Sequence, residues 1–137
     1  MIELFWPGDA RAGGVCSETA LVAAMVRVES AWLNTLADAG LAPGSEPLPE
    51  IKPDEIADDV EADGNPVIPL VAVLRSRLGE PARTWLHRGL TSQDVLDTAL
   101  VLCLRDAADG VLRDVYRQVV ALRDLAASNR HSVRAAR

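Results

Sequence analysis

Aromatic side chains are scarce in this chain, where Phe, Trp and Tyr together make up only 4% of 137 residues. A β-sandwich core leans on aromatic and β-branched residues, so this shortage, beside plentiful Ala, Leu and Val, points to helix packed on helix. The two cysteines, Cys16 and Cys103, have no metal-ligand spacing, and Cys103 falls on an apolar helical stripe as a small core residue. A reducing cytoplasm is the simplest compartment for such a chain. A surplus of basic residues is also missing: the net charge is −6, which argues against a nucleic-acid or anionic-membrane surface. No apolar run approaches the ~20 residues of a membrane span, and Met1 to Trp6 is too short for a signal-peptide core. Asp54, Glu55, Asp58, Asp59, Glu61 and Asp63 lack the spacing of an EF-hand loop, so they read as a solvated helical face and no metal is assigned.

What is present suffices for a folded chain, with 49% hydrophobic and 25% charged residues. Residues 1–16 are an irregular lead-in, broken at Pro7-Gly8 and Gly13-Gly14. Ser17 caps a first helix that runs to about Ala39 and stops at Gly40, with Leu21, Met25, Val28, Trp32 and Leu36 as its apolar stripe. Pro43, Pro47 and Pro49 make Leu41 to Lys52 a loop. Pro53 opens a short acidic helix to about Glu61, closed by Asp63-Gly64. Asn65 then caps a third helix, with Pro66 in its first turn, Val67, Leu70, Val71 and Leu74 on its buried side, and Gly79 at its end. The segment from Glu80 to Leu90 reads as a loop.

The last helix is the strongest physical signal. Leu100, Leu104, Ala107, Val111, Val115, Val119, Leu122 and Ala126 recur in steps of three and four, and no proline interrupts them. A helix from Ser92 to about Asn129 would be about 57 Å long. A compact chain of this size is only ~37 Å across, so the helix is expected to overhang its domain. An overhanging apolar stripe predicts self-association, unless the helix folds back at Gly110. Two domains are expected: residues 1–90 as a small N-terminal helical domain, and residues 91–137, the long helix, which the family resemblance described below makes the start of a helical bundle.

Thr91 is a good N-cap for this helix, with Asp94 three residues on in a Thr-x-x-Asp capping arrangement. Open N–H groups, the helix dipole and the hydroxyls of Thr91 and Ser92 converge here, with Arg83, His87 and Arg88 just upstream. Such a place suits a carboxylate or phosphate held by hydrogen bonds. The alternative is a capped helix beside a solvated basic loop, with His87 an ordinary surface histidine.

The run His87-x-Gly89-x-Thr91-Ser92-Gln93-Asp94-Val95-x-Asp97-Thr98-Ala99 resembles the first signature region of the fumarase/aspartase superfamily. With Trp6-Pro7-Gly8-Asp9-x-Arg11-Ala12-Gly13 and Gly64-Asn65-Pro66-Val67-Ile68-Pro69-Leu70-Val71, the chain resembles the N-terminal portion of the 3-carboxy-cis,cis-muconate cycloisomerase family, which lactonises 3-carboxymuconate in protocatechuate catabolism. The resemblance implies an all-α fold, a homo-oligomer formed through the long helix, no cofactor and a small polycarboxylate substrate. It also implies substrate-binding roles for Thr91, Ser92 and His87, with Gln93 and Asp94 orienting the turn, and a place for Asp9 and Arg11 near the site of the assembled oligomer. For Asp9 and Arg11 the alternative is a plain N-terminal arm. The family's second and third signature regions, including the mobile serine loop that carries the base, have no counterpart here, so no catalytic residue is assigned. The expectation is a truncated form with little activity alone. The alternatives are a non-catalytic helical module that oligomerises or binds a dicarboxylate, and another lyase of the superfamily such as adenylosuccinate lyase.

Overall fold

The computed structural model describes residues 13–133 and Ala135; the lead-in residues Asp9 and Arg11 lie outside the described residues. Among the described residues all regular structure is helical. Helix α1 spans Glu18–Asp38, and a 3-10 turn at Pro53–Glu55 leads into α2, Ala57–Asp63. Helix α3 spans Val67–Arg77, α4 is the short Ala82–Trp85, and α5 is Ser92–Ser128. The chain divides into two units, the first ending at Leu104 and the second beginning at Arg105.

Local chemistry explains most of the boundaries. Ser17 accepts the N–H of Ala20 through its hydroxyl at 3.2 Å and so caps α1, and Gly40 takes the left-handed conformation (φ 70°) just beyond its end. The acidic helix expected from Pro53 is two pieces, because the chain leaves helical geometry at Ile56, whose side chain is buried in the core. Asn65 supplies the first bond of α3, its Oδ1 accepting the N–H of Val67 at 3.0 Å. The segment taken as a loop from Glu80 contains the single helical turn α4, which the sequence reading missed because four residues are too few to show a period.

The first unit buries one apolar core, in which Met25 of α1, Val67, Leu70 and Leu74 of α3, Leu86 and Val95 are fully enclosed. Each such side chain contributes about 1.5–3 kcal/mol of burial. The buried face of α1 is rotated from the expected stripe: Val22, Met25, Glu29, Leu33 and Leu36 point inward, while Leu21, Val28 and Trp32 are only half-buried. A glutamate therefore occupies the middle of the inward face.

Helix α5 contributes Val95, Ala99 and Cys103 to that core. In the second unit the apolar residues are open: Val111 is 62% exposed, Val119 58% and Leu122 64%. The helix continues through Gly110 without interruption. No helix among the described residues is long and apolar enough to cross a membrane.

Candidate carboxylate-binding site

The start of α5 is built by reciprocal capping. The Asp94 carboxylate accepts the Thr91 N–H and the Thr91 hydroxyl, each at 2.7 Å, while the Thr91 hydroxyl oxygen accepts the Asp94 N–H at 3.3 Å. The backbone N–H and hydroxyl of Thr91 hold the Asp94 carboxyl below its usual range. Thr91 is thereby spent: its hydroxyl proton faces Asp94, and Asp94 already places a negative charge on the positive end of the dipole. The two hydroxyls read from the sequence as one donor pair thus have different tasks, Thr91 closing the cap and Ser92 lining a cleft. Gln93 turns along the helix, its amide donating to Asp97 at 2.5 Å.

Thr91→Ala should lower unfolding stability by about 1 kcal/mol, the usual worth of a cap, and Thr91→Ser should restore most of it. Urea unfolding of the two variants checks this. An equal loss in both would mean that the threonine methyl, rather than the hydroxyl, matters.

Beside the cap lies a cleft of ≈ 290 Å³, with apolar walls from Ile68, Val71 and Ala72 and polar groups from Arg75, His87 and Ser92. Arg75 reaches the loop, its Nη2 donating to the carbonyl of Leu86 at 2.9 Å. The other two basic residues singled out in the sequence are engaged elsewhere. Arg83 donates through Nε to the Leu78 carbonyl at 3.0 Å, and the Arg88 guanidinium stacks 4.4 Å above the Trp85 ring. Arg75 is the cation of this cleft, and sequence proximity to the motif did not reveal it.

His87 is fixed from behind. Its Nδ1 lies 2.5 Å from Oε1 of Glu29, a side chain with no solvent exposure. Burial raises the Glu29 carboxyl above its ordinary value, opposed by the hydrogen bond and charge of His87 and by the charge of Arg75. Oε2 of Glu29 has no hydrogen-bond partner among the described residues. His87 itself sits at φ 59°, in the left-handed region that side-chain-bearing residues seldom occupy. The loop is pinned on its far side, where the Trp32 indole N–H donates to the Arg88 carbonyl at 2.9 Å. No sequence spacing pairs His87 with Glu29, which is 58 residues away.

The arrangement offers an anion one guanidinium, one hydroxyl and one imidazole edge, against an apolar wall. Among the described residues no cluster of three or more His, Cys, Asp or Glu side chains is disposed to hold a metal ion.

No family model matches the chain, and no solved structure matches it. Curated proteins do. The N-acetyl-S-(2-succino)cysteine lyase of Dickeya dadantii is 39% identical over 80 residues, covering 58% of this chain and 17% of that enzyme. The nitrosuccinate lyase of Streptomyces davaonensis is 33% identical over 132 residues, covering 88% of this chain and 28% of the enzyme. The 3-carboxy-cis,cis-muconate cycloisomerase of Acinetobacter baylyi is 33% identical over 132 residues, with 87% and 29% covered. The matches span less than a third of the length of these relatives. The homologues of this chain are lyases of the fumarase/aspartase superfamily.

Proposed function

We propose that the cleft between α3 and the start of α5 binds one carboxylate of a small polycarboxylic acid, as the anion-binding part of a lyase-type active site. The observation that carries this reading is the convergence of Arg75, His87 and Ser92 on one cleft beside a helix N-terminus. The relatives support it, since their names describe succino, nitrosuccinate, adenylosuccinate and carboxymuconate substrates, every one an acid with more than one carboxylate. Arg75 and the Ser92 hydroxyl donate to the carboxylate, and the apolar wall shields the pair from water. In a reaction that builds negative charge beside that carboxylate, donors already in place need no reorganisation.

Among the superfamily's reactions, lactonisation of 3-carboxy-cis,cis-muconate is the one we propose. The match to the Acinetobacter baylyi cycloisomerase over 132 residues supports this choice. The compartment we assign on composition is the cytoplasm. The chain is titrated with 3-carboxy-cis,cis-muconate while its conjugated-diene ultraviolet absorbance is followed. Saturable binding is expected, with Ser92→Ala and Arg75→Gln each weakening it about tenfold, the worth of one charge-assisted hydrogen bond. Absence of saturable binding at millimolar ligand would sink the reading. Loss of absorbance that stops in Ser92→Ala would show in addition that the chain assembles a complete catalytic site.

We infer further that the second unit pairs with another copy of this chain. Val111, Val115, Val119 and Leu122 recur along one helix at spacings of three and four and stay 47% or more exposed, a row that water does not favour. Light scattering should show an oligomer at micromolar concentration, and the double variant Val115→Asp, Val119→Asp should be monomeric. A monomeric parent chain would refute the pairing.

A further inference from the structure

His87 lines the cleft and is held by a fully buried ionisable side chain. Glu29 stands in the middle of the inward face of α1, between Met25 and Leu33, with no solvent exposure. Its Oε1 meets Nδ1 of His87 at 2.5 Å across 58 residues of sequence. One ring nitrogen is therefore committed to the protein interior, and Nε2 is left as the nitrogen available to a ligand in the cleft that His87 lines. The histidine backbone is held at φ 59°, and both flanking carbonyls are tied, Leu86 to Arg75 and Arg88 to Trp32. A surface histidine in a solvated loop needs none of these restraints.

We propose that Glu29 is a positioning residue for His87: its buried carboxylate accepts the Nδ1–H and so fixes the neutral ring in the tautomer whose Nε2 presents a lone pair to the cleft. The tautomer follows from the acceptor, because an ionised carboxylate has no proton to give and the ring must place its own on the nitrogen that faces it. Nε2 then takes a proton from a ligand, or, once it carries one, donates it to a ligand carboxylate. No atom is transferred by Glu29 itself. The ligand assignment rests on the carboxylate-site reading above, whereas the ring state does not.

The experiment uses the full chain, ¹⁵N-labelled at histidine, in the His131→Gln background so that His87 is the one imidazole left of the two in the sequence. Long-range ¹H–¹⁵N correlation spectra, taken as pH is raised until they stop changing, report which nitrogen carries the proton. The expected result is protonated Nδ1 and bare Nε2, a return toward the Nε2–H form common in free histidine in Glu29→Leu, and retention of the Nδ1–H form in Glu29→Gln, whose amide oxygen still accepts. Nε2–H in the parent chain, or an unchanged spectrum in a folded Glu29→Leu, overturns the proposal. A parent chain with the Nδ1–H form that does not bind 3-carboxy-cis,cis-muconate upholds the role of Glu29 and defeats only the ligand assignment.

Discussion

Leu70→Ala is expected to cost about 2–5 kcal/mol of unfolding free energy, the range for removing a fully buried leucine where the surroundings close in only partly. Leu70 has no exposure and belongs to the core cluster that also holds Met25 of α1 and Val95 of α5. Side chains from three helices share that core, so the surroundings can close over the void only in part. The urea midpoint should fall with little change in slope, since the surface exposed on unfolding is nearly the same. Leu70→Met, close in volume and flexible, should cost less than about 1.5 kcal/mol. If both substitutions cost the same, shape rather than volume governs this part of the core. The effect should reach the site, because Leu86, next to His87, is enclosed in the same core.

Elements whose signals are local were legible in the sequence. The cap of α1 at Ser17, the left-handed stop at Gly40 and the Thr91–Asp94 box each involve residues within four of one another, which is the range a spacing rule sees. The all-helical class followed from the same periods. The site was legible only in part, and for a physical reason. Its key partner, Glu29, is a charged residue on an inward face, and a search for apolar stripes steps around it; that search chose Leu21, Val28 and Trp32 instead of Val22 and Leu33. The usable signal was positional: Glu29 lies four residues after Met25 and four before Leu33, so two buried neighbours on one face enclose it. Arg75 was passed over because it lies at the far end of α3 in sequence, although its Nη2 touches the Leu86 carbonyl beside the motif. Arg83 and Arg88 were favoured by proximity alone, and backbone and aromatic partners within the loop take them up.

His87→Ala should be the most pH-dependent of the substitutions. Removing the imidazole leaves Oε1 of Glu29 without its side-chain partner, beside an Oε2 that already has none among the described residues. Leaving a buried ionised acceptor without its side-chain donor costs about 1–3 kcal/mol or more, because the carboxylate is not rehydrated. Burial already raises the Glu29 carboxyl; the side-chain hydrogen bond and charge of His87 oppose that rise and vanish in the variant, leaving the backbone N–H of residue 87 and the charge of Arg75 against it. A carboxyl whose folded value lies above its unfolded one favours the folded state below the ordinary carboxylate range, and loses that contribution as pH rises through the folded value. The cost of His87→Ala should therefore be small near pH 4, where Glu29 is protonated and only a hydrogen bond of about 1 kcal/mol is missing, and should grow toward neutral pH. Any strain from placing alanine at φ 59° is independent of pH and drops out of the difference. Adding Glu29→Gln should recover most of the neutral-pH loss, a non-additivity expected of two groups in direct contact. Equal costs at pH 4 and pH 8 would mean that Glu29 is not ionised in the parent chain, and the positioning role of its carboxylate would fall with that result.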